Sequence, residues 1–481
     1  MNLKIIFRVI GLLMFVEGAF MLLPLIISIL YGENDSMGFL ISSGINLFAG
    51  ALIIWFTRNA NRDIGKREGF IIVSLVWVIF SILGSLPYIF TGAIPVYTDA
   101  FFETMSGFST TGSSILNDIE SLSHGILFWR SLTHWLGGMG IIVLSLAILP
   151  IFGIGGMQLY IAEVPGPTPD KISPRIRQTA ATMWVIYVIL TIAETFLLWI
   201  GEMPLFDAVC HSFATMATGG FSTKQASIAF WPSPFIQYVI ILFMFLAGTN
   251  FTLTYFTIRG NFKPILKDEE FKYYGFITLG FTFLIFIGLL ISSQTGVEEA
   301  FRNSLFWVVS IITTTGFGTV DYLLWKPVLV ALIFVLFFFG GSAGSTGGGI
   351  KIMRMVLLFK NGYYELKRMV HPNAVIPLKF NRHSVDSKIV TNVLAFFVLY
   401  FMIFGASTVL FMLFEPNLES AMGAVASCLG NIGPGLGSVG PAENYAHIHP
   451  VGKWFLSFLM LLGRLELFTI LVLFSPAFWK E

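Results

Sequence analysis

Long apolar runs alternate with short polar stretches along the whole chain. Ten runs hold about 18 or more mostly apolar residues, the length that a helix needs to cross a bilayer. The first run is too long for the apolar part of a cleaved signal peptide, and no A-x-A site follows it, so we predict a retained helix. The pattern predicts an all-α polytopic membrane protein. The predicted spans are 5–30, 38–57, 70–90, 125–149, 179–201, 235–257, 273–293, 327–358, 388–414 and 452–474.

Composition agrees with lipid as the main solvent. Of the 481 residues, 56% are hydrophobic and 11% are charged, whereas about 25% of a soluble domain is charged. The net charge of +1 argues against a nucleic-acid partner. The two cysteines, Cys210 and Cys428, cannot form a disulfide framework, and no His/Cys cluster has the spacing of metal ligands.

Positive charges concentrate in every second loop. Most of the 28 Lys and Arg residues follow the second, fourth, sixth and eighth spans or flank the two ends of the chain. The opposite loops carry acidic residues such as Glu33, Asp118 and Glu298. Because basic loops stay on the cytoplasmic side, we predict that both termini are cytoplasmic.

Four of the polar stretches between spans resemble one another. They align on one glycine each, and a polar residue of a type that caps helices stands thirteen positions before it. A glycine of the next span follows 25 to 30 positions later. The aligned glycines are Gly112, Gly220, Gly316 and Gly433, the predicted caps are Asp99, Asp207, Asn303 and Ser420, and the following glycines are Gly138, Gly248, Gly341 and Gly463.

The repeat predicts two leading transmembrane helices and then four units of helix, pore half-helix, filter loop and helix around one central pore. The leading unit precedes the repeats, the second repeat includes a cytoplasmic loop, the third a Gly-rich segment and the fourth a basic cytoplasmic loop. The predicted boundaries are 1–68 for the leading unit and 69–156, 157–260, 261–360 and 361–481 for the repeats.

Half-helices that stop inside a membrane have a specific electrostatic consequence. Their C-terminal ends carry partial negative charge, so four of them around an axis favour a cation. Irregular backbone at this depth has to line a polar cavity, where its carbonyl groups can replace the water shell of an ion. The loops contain no acidic residue, which suits a monovalent ion, and we predict K⁺. The alternative, small-residue loops that only pack, explains four loops in register less well.

The predicted selectivity filter comprises Thr110, Thr111, Gly112, Ser113, Thr218, Gly219, Gly220, Phe221, Thr314, Thr315, Gly316, Phe317, Asn431, Ile432, Gly433 and Pro434. We predict that K⁺ binds at Thr111, Gly112, Gly219, Gly220, Thr315, Gly316, Ile432 and Gly433. In the second loop Gly219 is an alternative to Gly220 as the aligned residue, and the spacing from the predicted cap favours Gly220.

The eighth span contains a segment that is too rich in glycine to remain helical. It must therefore break the helix and line a cavity, and we predict a gate there. One alternative is a close-packed helix interface. A nucleotide-binding P-loop does not fit, because Ile350 precedes Lys351 and no Ser or Thr follows it. The segment consists of Gly340, Gly341, Ser342, Ala343, Gly344, Ser345, Thr346, Gly347, Gly348 and Gly349.

Charged and histidine side chains inside the spans need an explanation. Arg464, in the last span, is predicted to face a polar cavity or a partner. A structural pair with a backbone carbonyl stays open, whereas a pair with Glu466 is poor because residues two apart lie on different helix faces. Arg130 and Glu194 could each line the pore vestibule or pair structurally. For His134 we predict packing, and for His211 a local hydrogen bond.

These loops resemble those of the Trk/Ktr/HKT superfamily of K⁺ transporters. The resemblance rests on Ser109-Thr-Thr-Gly-Ser113, Ala217-Thr-Gly-Gly-Phe221, Thr314-Thr-Gly-Phe-Gly318, Asn431-Ile-Gly-Pro434 and the cytoplasmic segment His371-Pro-Asn-Ala374. It implies one dependable glycine per filter loop. It also implies K⁺ preference with glycine at all four positions, whereas plant relatives that prefer Na⁺ have serine where Gly112 stands.

The resemblance further implies an intramembrane loop that obstructs the pore at the Gly-rich segment and a pore-facing arginine at Arg464. It implies a bacterial inner-membrane location, a homodimer and a cytosolic TrkA-like, nucleotide-binding regulatory subunit. Nucleotide would act only through that subunit, and no covalently bound cofactor is expected. Rb⁺ would serve as a surrogate for K⁺.

Other functions stay open on the sequence alone. They are a Na⁺-preferring pore of the same fold and an H⁺- or Na⁺-coupled carrier of a small organic solute. A carrier usually shows two halves and a carboxylate at the middle of the membrane, and the loops have none. A membrane enzyme would need a nucleophile with a base or a metal cluster, and neither is visible, so we predict no enzyme activity.

Overall fold

The two leading spans form an antiparallel helix pair at the start of the fold. The computed structural model describes residues 2–59, 65–143, 176–292, 296–374 and 376–480. The first span is kinked into α1 (Leu3–Phe20) and α2 (Leu22–Tyr31), and the second is α3 (Ser36–Phe56). Gly11 and Gly50 let α1 and α3 approach so closely that a Cβ on Gly50 would meet the backbone of Phe15 at 2.8 Å.

Four repeats follow this pair, each with a span, a half-helix of 12 to 16 residues and a further helix. The first repeat contains α4 (Lys66–Gly84), α5 (Leu86–Thr91), half-helix α6 (Tyr97–Phe108) and α7 (His124–Val143). The second repeat contains α8 (Ile176–Ile200), half-helix α9 (Leu205–Met216), α10 (Pro234–Ala247) and α11 (Phe251–Ile258).

The third and fourth repeats are separated by a segment with a short β-hairpin. The elements, after the short α12 (Lys263–Lys267), are α13 (Glu269–Ser292), half-helix α14 (Val297–Ile312), α15 (Pro327–Leu336), α16 (Ile352–Val370), β1 (Lys379–Phe380), β2 (His383–Ser384), α17 (Ser387–Phe411), half-helix α18 (Leu418–Gly430), α19 (Pro450–Arg464), α20 (Phe468–Leu471) and α21 (Pro476–Trp479). Short 3₁₀ turns occupy Ser227–Phe230, Tyr322–Leu324, Gly437–Val439 and Val472–Phe474.

Each of the ten predicted spans contains helix in the described residues, and three of them are interrupted or bent. Within the described residues six helices are long and apolar enough to cross a membrane, or eight if each of two bent pairs counts as one span. The fourth predicted span begins as α7, and its residues 144–149 lie outside the described residues, as do the basic Lys171 and Arg175. The eighth is broken between α15 and α16 at the Gly-rich segment, as predicted.

Two predicted spans are bent where the sequence analysis expected straight helices. Between α10 and α11 the chain turns by 114°, and the Asn250 side chain caps the new helix by accepting from the Thr252 amide (2.8 Å). Between α19 and the helix that follows it the turn is 109°. There Glu466 and Leu467 both adopt positive φ, which breaks the helical hydrogen bonds without a glycine or proline.

The four predicted helix caps are also corrected. The half-helices begin earlier, after Val96, Pro204, Gly296 and Asn417, so the four polar residues lie inside them. Three of the side chains bind the chain that follows their own loop, and Asp99 binds a lysine on α19. The Asp207 carboxylate accepts from Thr223 (2.5 Å), Asn303 accepts from Thr319 (3.2 Å), Ser420 accepts from the Ser438 amide (3.0 Å), and Asp99 binds Lys453 (2.6 Å).

Buried side chains surround the half-helices on all sides. Trp129, Trp307 and Tyr187 are fully buried between them and the following spans. Large apolar side chains of the leading pair and of the outer spans are exposed, for example Phe48 and Phe276 at 71% and 73%. Such an outer face suits lipid, and it leaves the polar backbone of the half-helices and their loops at the centre.

Candidate functional site

Each half-helix ends in the same left-handed turn. The closing residue has φ between 54° and 59°, a region that is strained for β-branched residues. The amide after it donates to the carbonyl five residues earlier, as from Thr111 to Ser106 (2.9 Å) and from Thr315 to Ser310 (2.8 Å). This is the bond of a Schellman motif. The left-handed residues are Thr110, Thr218, Thr314 and Asn431.

Two residues later each loop has a glycine that also requires positive φ. The values are 82° for Gly112, 79° for Gly220, 83° for Gly316 and 107° for Gly433. Gly219 is not in this conformation, so Gly220 is the equivalent residue of the second loop, as the spacing suggested. We call residues 110–113, 218–221, 314–317 and 431–434 glycine loops 1 to 4.

The four glycine loops close into a ring. A Cβ on each aligned glycine would overlap a carbonyl oxygen of the next loop in the cycle. Because the last contact returns to the first loop, the loops enclose one axis in the order 1, 2, 3, 4. The contacts are Gly112 with Gly219 O, Gly220 with Thr315 O, Gly316 with Ile432 O, and Gly433 with Thr111 O.

A cavity of about 90 Å³ opens on the side of the ring at which the half-helices begin. We call this the outer face. The cavity is lined by the four aligned glycines together with Ser113, Arg130, Lys224 and Asn444. Ring and cavity therefore share one axis, which is the arrangement that a pore requires.

Hydrogen bonds hold the loops from behind. In loop 4 the carbonyl of Gly433 accepts from Tyr445 (3.0 Å), Ser427 (2.7 Å) and Ser113 (3.1 Å). In loop 3 the carbonyl of Phe317 accepts from Ser310 (2.7 Å). Pro434 lies against Gly316. The carbonyl groups that receive these bonds face their donors behind the loops, so the bonds fix the backbone of the loops around the axis.

Two histidines contribute to this support. Nδ1 of His134 donates to the Gly107 carbonyl (2.8 Å), so its Nε2 is the acceptor for the Phe221 amide (3.2 Å). Nδ1 of His211 donates to Asp207 O (2.7 Å) and Nε2 accepts from Ser222 (2.9 Å). The prediction of a local bond for His211 is confirmed, and so is that of packing for His134, whose ring lies 4.1 Å from that of Phe221 and makes these hydrogen bonds as well.

Arg130 forms a buried ion pair with Glu103, at 2.8 Å between Nη2 and Oε1, and it also lines the outer cavity. Both alternatives left open for Arg130 thus hold. Glu194 is fully buried in α8 and forms no ion pair within the described part of the chain. Glu103 was not singled out by the sequence analysis, although it is an acidic residue in the middle of a half-helix.

The Gly-rich segment lies under the ring, at the ends of the half-helices. The Thr346 hydroxyl donates to Met216 O (3.0 Å) at the end of α9, and the Gly348 amide donates to the side chain of Thr314 (2.7 Å) in loop 3. A Cβ on Gly347 or Gly348 would meet the carbonyls of Thr313 and Gly430 at 2.9 and 2.7 Å. The segment therefore occupies the space where three half-helices converge.

The flanks of this segment are anchored to the neighbouring spans. The buried Glu270 carboxylate accepts from the amides of Ala343 (2.7 Å) and Met353 (3.1 Å). The Ser342 amide donates to Gly248 O (2.8 Å) at the α10–α11 break, and the Phe251 amide donates to Gly344 O (3.2 Å). The bend of that span therefore supplies hydrogen bonds that hold the Gly-rich segment in place.

Arg464 connects the same segment to the first repeat. Its guanidinium is 3% exposed and donates to Thr346 O (2.8 Å) and to Gly137 O (3.0 Å). Glu466 forms its ion pair with Arg354 and not with Arg464, as expected from the poor local pairing of residues two apart. The Arg464 cation is therefore held by carbonyl groups beneath the ring rather than neutralised by a carboxylate.

Comparisons with known proteins agree with this architecture. A family model described as TrkH, cation transport protein, matches residues 36–481. The Trk system potassium uptake protein TrkH of Salmonella typhimurium is 43% identical over 491 residues, with 100% of both chains covered. That of Halomonas elongata is 39% identical over 484 residues, again with full coverage of both. The crystal structure of the potassium transporter TrkH from Vibrio parahaemolyticus matches with a TM-score of 0.91 at 38% identity and 100% coverage of both chains. These relatives are named as transporters and not as enzymes.

Proposed function

The chain belongs to the TrkH family of cation transport proteins, and from this premise we propose that it takes up K⁺ across a bacterial inner membrane through the ring of its four glycine loops. The single observation that carries the proposal is the closed cycle of contacts in which each glycine lies against a carbonyl of the next loop. Its relatives are named potassium uptake proteins, which supports K⁺ as the ion.

In this proposal the carbonyl oxygens of the glycine loops replace the water shell of K⁺. Glycine is required at the four aligned positions for two reasons. The backbone has positive φ there, and a Cβ would overlap a carbonyl oxygen of the neighbouring loop. The binding residues are Thr111, Gly112, Gly219, Gly220, Thr315, Gly316, Ile432 and Gly433.

The Gly-rich segment and Arg464 act as the gate. Support comes from the position of the segment beneath the ring and from the unneutralised guanidinium that binds it. A fixed cation on the ion path raises the barrier for K⁺. Opening requires that the segment leave the ends of the half-helices.

Regulation acts from the cytoplasmic side, where both termini lie. The α16 helix extends directly from the Gly-rich segment and ends in the basic residues Lys367 and Arg368, next to the β-hairpin. A cytosolic nucleotide-binding subunit that docks there could pull on the segment through one rigid helix. Assembly as a homodimer completes the proposal.

The test is uptake of rubidium tracer into liposomes that contain the purified protein, driven by a K⁺ gradient, with Na⁺ or K⁺ as competitor. Gly316→Ser is the filter variant, and Gly405→Ser, where no atom lies within 4 Å of the added Cβ, is the matched control. A variant with a shortened 340–349 segment removes the gate. We expect K⁺ but not Na⁺ to compete, loss of this preference in Gly316→Ser, and none in Gly405→Ser.

Two outcomes would contradict the proposal. Equal competition by Na⁺ in the unmodified protein would indicate the Na⁺-preferring pore of the same fold. Absence of rubidium uptake even with the shortened segment, in protein that remains folded by size-exclusion chromatography, would favour the coupled carrier of an organic solute.

A further inference from the structure

A buried ion pair connects the outer ends of two neighbouring glycine loops. Arg130 of α7 and Glu103 of half-helix α6 are 1% and 0% exposed. Nε of Arg130 donates to Oε1 of Glu103 at 2.9 Å, and Nη2 lies 2.8 Å from the same oxygen. We propose that this pair is a positioning element which holds glycine loops 1 and 2 at the spacing that distinguishes K⁺ from Na⁺. The inference rests on the proposed function.

The Glu103 side of the pair holds the chain that follows loop 1. Its Oε1 accepts from the Ser114 hydroxyl (3.0 Å) and its Oε2 accepts from the Ile115 amide (3.0 Å). These residues stand two and three positions after Gly112. The carboxylate therefore determines where loop 1 leaves the ring.

The Arg130 side holds loop 2. Nη1 donates to the Ser222 carbonyl (3.0 Å), two positions after Gly220, and the guanidinium lies 4.2 Å from the ring centroid of Phe221. Nη2 also reaches the Ser114 hydroxyl (3.3 Å). Because guanidinium is planar with donors in fixed directions, it constrains the distance between the two loops and not only their contact.

The first repeat alone uses charge at these positions. The residues that correspond to Glu103, nine before the aligned glycine, are His211, Trp307 and Ala424. Those that correspond to Arg130, eight before the following glycine, are Ile240, Ile333 and Phe455. Two of these residues bind the chain that follows their own loop, and they do so with neutral groups. His211 accepts from the Ser222 hydroxyl (2.9 Å), and Trp307 donates to Val320 O (3.1 Å).

Stability does not explain the charges. Burying two ions costs much of what their attraction returns, and well-packed apolar residues of similar volume often serve as well or better. What an apolar pair lacks is directional bonds to Ser114, Ile115 and Ser222. A filter needs those directions, because its discrimination depends on where carbonyl oxygens stand around the ion.

The test replaces both charges together, so that neither is left unpaired. The test variant combines Glu103→Leu with Arg130→Met, which keeps similar side-chain volumes. The control variant combines Glu298→Leu with Arg302→Met. It removes an ion pair on α14 (2.9 Å) that does not contact a glycine loop. The readout is the Na⁺ concentration that halves rubidium uptake into liposomes, divided by the K⁺ concentration that does so. The melting temperature of each variant is measured as well.

We expect the protein that carries both Glu103→Leu and Arg130→Met to remain folded and to transport rubidium, with the Na⁺/K⁺ ratio lowered about tenfold, within the range seen for coupled neighbours. The control pair should keep the ratio. Arg130→Lys, which retains charge but not the planar fork, should fall between them, and it also serves as the test if the double variant does not fold. A ratio within about twofold of the unmodified protein in the double variant, or in Arg130→Lys alone, overturns the inference.

Failure of the inference and failure of the proposed function are distinguishable. If the unmodified protein discriminates K⁺ from Na⁺ and the double variant does so equally, only the positioning role is wrong. If the unmodified protein does not discriminate, the proposed filter itself is wrong.

Discussion

Replacing Arg464 by alanine tests the proposed gate most directly. The guanidinium makes two hydrogen bonds, to Thr346 O in the Gly-rich segment and to Gly137 O in α7. Hydrogen bonds that involve a charged group contribute about 1.5–3 kcal/mol each. If the substitution destabilises the closed state by a net ~2–3 kcal/mol, after water has replaced part of the lost hydrogen bonds, the fraction of open protein rises about 30- to 150-fold.

The assay is the initial rate of rubidium uptake into liposomes without any partner protein. We expect Arg464→Ala to be at least about tenfold faster than the unmodified protein, because the alanine removes both the bonds and a fixed cation. Arg464→Lys keeps the cation but cannot reach both carbonyls as a fork, so it should be intermediate. Arg259→Ala, which removes an exposed cation outside the ring, is the control. Selectivity against Na⁺ should not change, because Arg464 does not contact the glycine loops through the described bonds.

An Arg464→Ala protein that melts normally and transports rubidium at or below the unmodified rate would refute this reasoning. It would mean that the Gly-rich segment keeps its position through its other bonds, or that it does not obstruct the ion path.

Two further predictions concern single residues. Thr218 holds positive φ and its hydroxyl donates only to Ala217 O (2.6 Å) among the described contacts, so Thr218→Asn, the residue that loop 4 uses, should raise the melting temperature by relieving about 1 kcal/mol of strain. A melting temperature at or below that of the unmodified protein would contradict this. Glu17 is buried in α1 with no hydrogen-bond partner in the described residues, so Glu17→Gln leaves no partner without its bond and should shift unfolding by less than about 0.5 kcal/mol. A large loss of stability in thermal unfolding would instead indicate a charged Glu17.

The repeat could be found from sequence because its signals are local and occur four times. Each aligned glycine needs a conformation that other residues avoid, so it stands out in every copy. The break at residues 340–349 could be predicted for the same reason, since six glycines cannot sustain a helix. The left-handed residue two positions before each glycine could not be predicted in the first three loops, because threonine is a poor candidate for that conformation.

The two bent spans could not be predicted from local sequence signals. Asn250 is a helix cap and could have indicated the first bend, had the apolar run around it not favoured one span. Nothing local indicates the second bend, because Glu466 and Leu467 are neither glycine nor proline. Its support is tertiary and includes the ion pair of Glu466 with Arg354, 112 positions earlier in the chain. Contacts of this kind cannot be read from one segment.

The ring and the segment beneath it share atoms, and this connects selectivity with gating. Thr314 is the left-handed residue of loop 3, and its hydroxyl is the acceptor for the Gly348 amide (2.7 Å). Asn431, the equivalent residue of loop 4, binds the Thr111 hydroxyl of loop 1 (2.9 Å) instead and has its Cβ against Gly348. When the segment leaves, loop 3 loses a hydrogen bond at a strained residue, whereas loop 4 keeps its bond within the ring. Opening therefore removes this hydrogen bond from loop 3. Ion selectivity in the open state then depends on the bonds that Ser310 makes with the same loop, from its hydroxyl to Phe317 O (2.7 Å) and from the Thr315 amide to its carbonyl (2.8 Å).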